Sequence, residues 1–563
     1  MRYKLSVGVA VALWSVSVAA GAQEFRLVVN QAIAHDSRAP LQENDLLSPL
    51  DLEKANERGE RPFHMPHPDL PHKPVSDPPT PASPTGYSSI GTPSGGNGLS
   101  VNAAGAGSYI PPDTTGAVGT TQYVQWVNAA YAVYDKQSLA LLKSSAGIDL
   151  VFKGNALWKG FGGGCETNND GDPIVQFDKL ANRWVMTQFS VSSTPYLQCI
   201  AISSSDDFVN SQWYRYAFSY SNYFNDYPKL SVWPDAYYIS FNMFRGSFTG
   251  PWACAYDRAK MLTNAPATQV CFSISSSYAS LMPADLDGVT PATDPSKGAP
   301  APPPGSPGYF LSLGSGSCAT ISGVTKGCLY FWKFTVNFTS PSLSTLTRST
   351  LYVNAFNRAC GTGGACIPQP KTTQKLASLG DRLMWRLAYR NFADHEAMVV
   401  NHSVNTTVLV NNTSTSVVGL RWYELRNASG KTFSSATPVI YQQGTFAPDA
   451  VNRWMGSIGM DRMGNIAIGY SAGSGSLFPS IRLTGRAPGD SSGSLSSAES
   501  EVVTGGGSQV LSGYNVSRWG DYSSLSIDPS NDCTFYYTTE YLPRDGAWNW
   551  QTNISKFQFS TCN

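Results

Sequence analysis

The sequence predicts an all-β protein, a seven-bladed β-propeller that follows a disordered N-terminal segment. Three observations lead there. A crude unit recurs about seven times over roughly the last 460 residues, and repeats of this kind build arrays. Each copy starts Gly-, Asp- or Pro-rich and runs into alternating aromatic and apolar positions, as in Gly116–Asn128, Asp172–Asp178 with Arg183–Phe189, Asp226–Ser240 and Gly456–Tyr470. Aromatic residues make up 12% of the chain and charged residues only 14%, which suits pleated, half-buried strands. No long helical pattern competes, and short strands in a repeated unit close naturally into a radial array. A four-stranded blade needs about 40–50 residues. The units here are longer, so each carries loop insertions. Counts of six or eight blades stay open because divergent units are hard to delimit.

From the N-terminus, residues 1–22 read as an export signal. Arg2 and Lys4 precede an apolar run from Leu5 to Ala20, and Ala20-Gly21-Ala22 places cleavage before Gln23. The run is short for a membrane span and none follows, so no span is expected. Residues 23–108 are rich in Pro, His and charge, above all from Glu60 to Pro84, and read as a disordered segment or pro-region. Residues 109–563 form the propeller, with units starting near residues 114, 172, 227, 309, 381, 456 and 520. Ala299–Pro307 is a flexible insertion. Ile554–Phe559 is a closing strand, and closure removes exposed sheet edges.

Ten cysteines in an exported chain indicate disulfides. They fall as sequence neighbours: Cys165 with Cys199, Cys254 with Cys271, Cys318 with Cys328, Cys360 with Cys366, and Cys533 with Cys562. Sequential pairing keeps each bridge inside one blade or loop. The absence of Cys-x-x-Cys removes the strongest zinc and redox signals. The 39 basic and 39 acidic residues balance, which argues against a nucleic-acid partner. Asn168–Asp172 and Asp285–Gly288 look like calcium loops, but neither completes an EF-hand. No cofactor is expected apart from a structural calcium, and no metal ligands are assigned.

Several phrases, Pro111–Gly119, Cys165–Pro173, Asp226-Tyr227-Pro228, Arg453–Ser457 and Arg518–Tyr522, resemble those of secreted bacterial β-propeller proteins. That group is loosely called sialidase-like and mostly uncharacterised. The resemblance spans roughly residues 110–563 and implies an exported bacterial propeller. It transfers no catalytic residues, and the Asp-boxes of true sialidases do not occur.

The segment Asp381–Glu396 carries the most chemistry. As a strand it puts Arg382, Arg386 and Arg390 on one face, with Trp385 and Tyr389 on the other. Three guanidiniums on one face need anions, from the protein or from a ligand. A turn then presents Asp394, His395 and Glu396, and a neutral His is the usual proton shuttle near pH 7. The expectation is a secreted protein, extracellular or periplasmic, that acts on carbohydrate. It would be a glycoside hydrolase or polysaccharide lyase acting on an acidic extracellular glycan. Arg382, Arg386, Arg390 and Tyr389 would hold the substrate, and His395 and Glu396 would move the proton. The alternative is a non-catalytic glycan- or protein-binding propeller, so enzyme activity itself stays open. A structural reading of the same arginines pairs them with Asp from neighbouring blades. Asp113, Asp172, Asp226, Asp381, Asp461 and Asp521 sit near equivalent unit starts. They either meet around a channel as an acid/base pair or cap turns, and turn-capping accounts for every copy at once.

Overall fold

The computed structural model describes residues 25–47, 89–100, 110–288, 300–392, 394–510 and 518–562. The expected signal peptide and the Pro-rich tract of residues 60–84 lie outside the described residues. The protein is all-β. Among the described residues, seven four-stranded antiparallel sets can be followed, within sheets that also take in further strands. The first is Thr115–Val118, Gln122–Val127, Ala130–Asp135 and Val151–Lys153. The second is Ile174–Asp178, Arg183–Ser190, Leu197–Ser203 and Trp213–Ser219, and the third is Phe224–Val232, Tyr237–Arg245, Ser247–Tyr256 and Thr268–Ile274. The fourth is Leu281–Leu286, Gly308–Leu313, Val324–Thr335 and Thr345–Asn354. The fifth is Met384–Asn391, Glu396–Val410, Thr413–Arg426 and Val439–Phe446, and the sixth is Asn452–Met460, Ile466–Gly473, Ser480–Arg486 and Ser500–Val503. The seventh is Ser524–Ile527, Phe535–Tyr541, Gln551–Phe557 and, from far upstream, Ser94–Ser100.

The first strand of each set lies beside those of the sets before and after it, and the seventh lies beside the first. The fourth and fifth pair directly in parallel, Ala284–Leu286 with Leu387–Tyr389, which merges their sets into one ten-stranded sheet. Thr115–Val118, Ile174–Asp178, Leu281–Leu286 and Asn452–Met460 are buried at every position. Apolar side chains fill the space between neighbouring sets, as where Val185, Ile200 and Phe218 of the second meet Leu230, Ile239 and Tyr256 of the third. Burying such faces is the main favourable term in folding. The expected start of the fourth unit near residue 309 moves to Leu281. The Pro-rich excursion lies inside the first hairpin of that set, because Gly308–Leu313 pairs back onto Leu281–Pro283.

The N-terminal expectation needs a larger correction. Phe25–Gln31 pairs with Thr268–Ile274 along seven positions, and Ala34–Arg38 pairs with Trp213–Ala217. Ser94–Ser100 is an edge strand on Gln551–Lys556. These stretches are therefore sheet, not a segment apart. Outer strands leave a row of unpaired N–H and C=O groups, and Phe25-Arg-Leu-Val-Val29 is β-prone enough to satisfy one. Arg215 clamps Asp36 at 2.6 and 2.7 Å, and Arg38 holds Asp45 at 2.6 Å. The described cysteines form the five sequential disulfides expected.

A chain starting at residue 89 loses two outer edge strands and is expected to melt several degrees lower. A chain starting at residue 110 also loses the fourth strand of the last set and is expected to aggregate. Differential scanning fluorimetry with light scattering checks both, and unchanged melting in either would show the N-terminal strands to be dispensable.

Candidate functional site

Backbone geometry at the start of the first strands is unusual in the same way several times. Asp113, Asp172, Tyr227, Leu379, Met455 and Asp521 all have positive φ, between 44° and 55°. Asp tolerates this conformation, but Tyr, Leu and Met rarely adopt it. In the third set Tyr227 and Pro228 form a bulge between the pairs Asp226–Asn242 and Lys229–Ser240. In the sixth, Met455 and Gly456 bulge between Trp454–Ser471 and Ser457–Gly469. Bulges re-aim side chains at the end of a strand. Left-handed bulky residues persist only where the surroundings over-determine them, often at functional sites.

These turns bring charged groups together. Asp172 Oδ2 accepts from the Tyr522 hydroxyl at 3.1 Å and from the Tyr227 backbone N–H at 3.0 Å. The Tyr227 and Tyr522 rings stack 5.4 Å apart, and the Lys229 ammonium lies 3.3 Å and 3.6 Å from their centroids. Arg382 lies 4.6 Å from the Tyr227 centroid and pairs with Asp381 at 2.9 Å. Arg518 pairs with Asp521. The Asn128 amide donates to Asp113 Oδ2 at 2.7 Å. Asp113, Asp172, Asp226 and Lys229 are only 5%, 7%, 1% and 1% exposed. Asp113 Oδ1, Asp226 Oδ2, Asp521 Oδ1 and Asn128 Oδ1 have no hydrogen-bond partner among the described residues.

Burial with like charges nearby separates the proton affinities. Burial pushes Asp113 well above the ordinary carboxylate range, and Asp172 and Asp521 push it further. Burial and Asp172 do the same to Asp226, against Arg382 and Arg518. Burial raises Asp172 to about 6, with Lys229 opposing it. Burial drives Lys229 well below its ordinary value, against the pull of Asp172. Glu540, buried behind the Gly520 N–H it accepts from, is raised to about 8. Beneath the cluster, Thr115, Ile174, Lys229, Trp385 and Tyr522 line a cavity of ≈ 10 Å³, about the room one water needs. A second cavity of ≈ 10 Å³ lies between the first strands, with Trp385 on the wall of both. A sugar ring has no room in either.

The six expected site residues do not form one site. Arg382 alone lies in the cluster. Arg386 is buried and binds Asp285 at 2.8 Å and Asp287 at 2.7 Å. Arg390 is buried and binds Asp532 through both terminal nitrogens at 2.6 and 2.7 Å. Their donors are committed to carboxylates of the protein, which corrects their assignment to a substrate. Tyr389 donates to Glu396 at 2.7 Å, and Glu396 also accepts from the Phe433 N–H at 2.7 Å, so both are held in a buried network. His395 stands at the far turn, stacked on Phe392 and 2.8 Å from Asp394. An extended strand of this length puts it on the order of 20–25 Å from Arg382. His402 is buried against Tyr423 and Phe356, as a packed strand residue.

Of the six repeated aspartates, Asp113, Asp172, Asp226 and Asp521 converge, and Asp381 joins them through Arg382. Asp461 caps a turn, accepting from the N–H groups of Met463 and Asn465. The calcium-like loops have other uses. Asp285 and Asp287 face Arg386 and Lys179, Asp170 caps Val191 and Ser192, and a side chain at Gly288 would overlap the Arg390 guanidinium. Among the described residues no three His, Cys, Asp or Glu are grouped to hold a metal ion. Sequence reasoning missed Tyr227, Lys229, Arg518 and Tyr522, although Asp226–Pro228 and Arg518–Tyr522 stood out as phrases.

No protein-family model matches the chain, and no curated protein matches it significantly. Among solved structures, one chain of a Saccharomyces cerevisiae assembly, described as Dbp5 bound to Nup159, Gle1, IP6 and ADP, covers 86% of this chain and 99% of its own. It is 9% identical with a TM-score of 0.33, too low to inform fold or function. Among the described residues, no helix is long and apolar enough to cross a membrane.

Two consequences are measurable. Asp172 keeps in the fold a proton that the unfolded chain releases near 3.8. Its contribution to stability is therefore full below that pH and is lost as pH rises toward 6, on the order of 3 kcal/mol. Asp461, also raised by burial to about 6, acts in the same direction. The melting temperature should fall between pH 4 and 6.5, and fall less in Asp172→Asn; a rise, or equal slopes, would contradict this. Arg386→Ala leaves Asp285 and Asp287 facing each other and should destabilise the protein by about 3–5 kcal/mol in urea unfolding. A wild-type midpoint would restore the ligand-binding role.

Proposed function

We propose that the protein is a secreted seven-bladed β-propeller that acts on carbohydrate as a glycoside hydrolase. Its acid/base groups are drawn from Asp113, Asp172, Asp226 and Asp521 at the mouth of the ring. The cyclic succession of seven strand sets supports the propeller reading, and five disulfides suit an oxidising compartment. One observation carries the chemistry: neighbouring carboxyls whose surroundings push their proton affinities apart, Asp172 to about 6 and Asp113 and Asp226 well above their ordinary range. Such a split assigns acid and base at neutral pH. A carboxyl that keeps its proton, Asp113 or Asp226, donates it to the glycosidic oxygen as the C1–O bond breaks. An ionised neighbour takes a proton from the water whose oxygen bonds to C1. An acidic glycan fits this mouth poorly, because Arg386 and Arg390 are paired with carboxylates of the protein.

The depth of Asp226 and Lys229, each 1% exposed, favours a second reading, a propeller that binds glycan without cleaving it. Incubation with a panel of neutral, amino and acidic glycans, followed by reducing ends, separates the two. Hydrolysis is expected, with kcat falling about 10²–10⁴-fold in Asp172→Asn and Asp113→Asn. Binding without new reducing ends supports the second reading, and neither binding nor cleavage across the panel overturns both.

A further inference from the structure

Donors and acceptors at the mouth are unevenly matched. Asp381 and Asp521 each hold an arginine, Arg382 and Arg518. Asp113, Asp172 and Asp226 share Lys229 with the fields of Arg382 and Arg518, so five carboxyls meet three cations. Four oxygens, Asp113 Oδ1, Asp226 Oδ2, Asp521 Oδ1 and the neutral Asn128 Oδ1, lack a hydrogen-bond partner among the described residues, and all four residues are more than nine-tenths buried. A buried acceptor without a donor is costly, and these face a cluster already short of positive charge. The mouth therefore calls for a ligand that brings N–H or O–H donors and positive charge.

The protein shows how such a charge is held. The Lys229 ammonium sits between the Tyr227 and Tyr522 rings, and Tyr522 in turn donates to Asp172. Aromatic faces with carboxylates behind them are the usual means of holding organic ammonium ions. A bare metal ion fits less well, since among the described residues no three acidic or His/Cys side chains are grouped to ligate one.

We propose that the mouth binds sugars bearing a primary ammonium, as in 2-amino-2-deoxyhexose units, with Asp113, Asp226 and Asp521 accepting from the ammonium and hydroxyl donors and Asn128 accepting from a hydroxyl. This rests on the carbohydrate reading above and names its substrate class. Burial leaves Asp113 and Asp226 holding protons; a bound ammonium displaces those protons and leaves both ionised, an anionic sugar gains no such pairing, and N-acetylation removes the charge the site selects.

Isothermal titration calorimetry of the full chain tests it, with three tetrasaccharide probes at pH 6: fully deacetylated chitosan, fully N-acetylated chitin and galacturonan. The free-amine probe is expected to bind at least 10-fold tighter than the other two and to weaken as salt rises. Asp226→Asn and Asp113→Asn should each lose at least 10-fold of that affinity, while Asp394→Asn, at the far turn, loses none. Circular dichroism confirms that the variants fold, and Asn128→Ala, which leaves every charge in place, gives a second variant expected to weaken binding. Equal or tighter binding of the N-acetylated probe overturns the amine assignment and leaves the carbohydrate reading standing. No binding by any of the three overturns the amine assignment, and the wider glycan panel then decides the carbohydrate reading. Amine binding unaffected in all three mouth variants places the site elsewhere and overturns the proposal.

Discussion

A charge buried between strands must find an opposite charge, and at the centre of this molecule the partner usually comes from a different strand set. The strands that carry the central pairs are covered on both sides, so their polar side chains cannot reach water. Arg386 of the fifth set meets Asp285 and Asp287 beside the fourth, and Lys179 from the turn after the second set's first strand joins Asp287. Arg390 meets Asp532 of the seventh, and Lys136 of the first meets Asp528. Such pairs add little net stability, because desolvation offsets their attraction, but losing one partner is severe. Their effect here is positional: they join one strand set to another.

At the other end of the same strands the matching is incomplete. Carboxylates outnumber cations around Asp172, some of their oxygens have no donor, and left-handed turns at Asp113, Asp172, Tyr227, Met455 and Asp521 hold them there. The same chain thus shows two ways of burying charge. One is closed by pairing, through Arg386 and Arg390. The other is left short of positive charge, and burial, with like charges as neighbours, spreads its proton affinities. The contrast separates the aspartate cluster, where charge is unbalanced, from the arginine strand, where it is paired.

Much of this was legible residue by residue. Alternation put Arg382, Arg386 and Arg390 on one face, but Arg382 precedes the strand Met384–Asn391, whose register shifts between Met384 and Ala388, and it meets different charges from Arg386 and Arg390. Which anions met them was not legible, since Asp285, Asp287 and Asp532 lie about 100 to 150 residues away in sequence. The cysteine pairs were readable because short loops keep neighbours close. The N-terminal strands were not, because Phe25–Gln31 finds its partner only once Thr268–Ile274 has been left as an edge. The repeated aspartates were visible, yet turn-capping explained them equally well, and for Asp461 it was correct.

By itself the sequence determined the class of the fold, the repetition of short strands and the sequential disulfides. These depend on side-chain period, composition and local loop length, which act over a few tens of residues. Only the tertiary structure decided which charges are neutralised and which are left facing one another. That outcome depends on the meeting of turns hundreds of residues apart, where burial removes water as an alternative partner and makes each carboxylate answer to its neighbours.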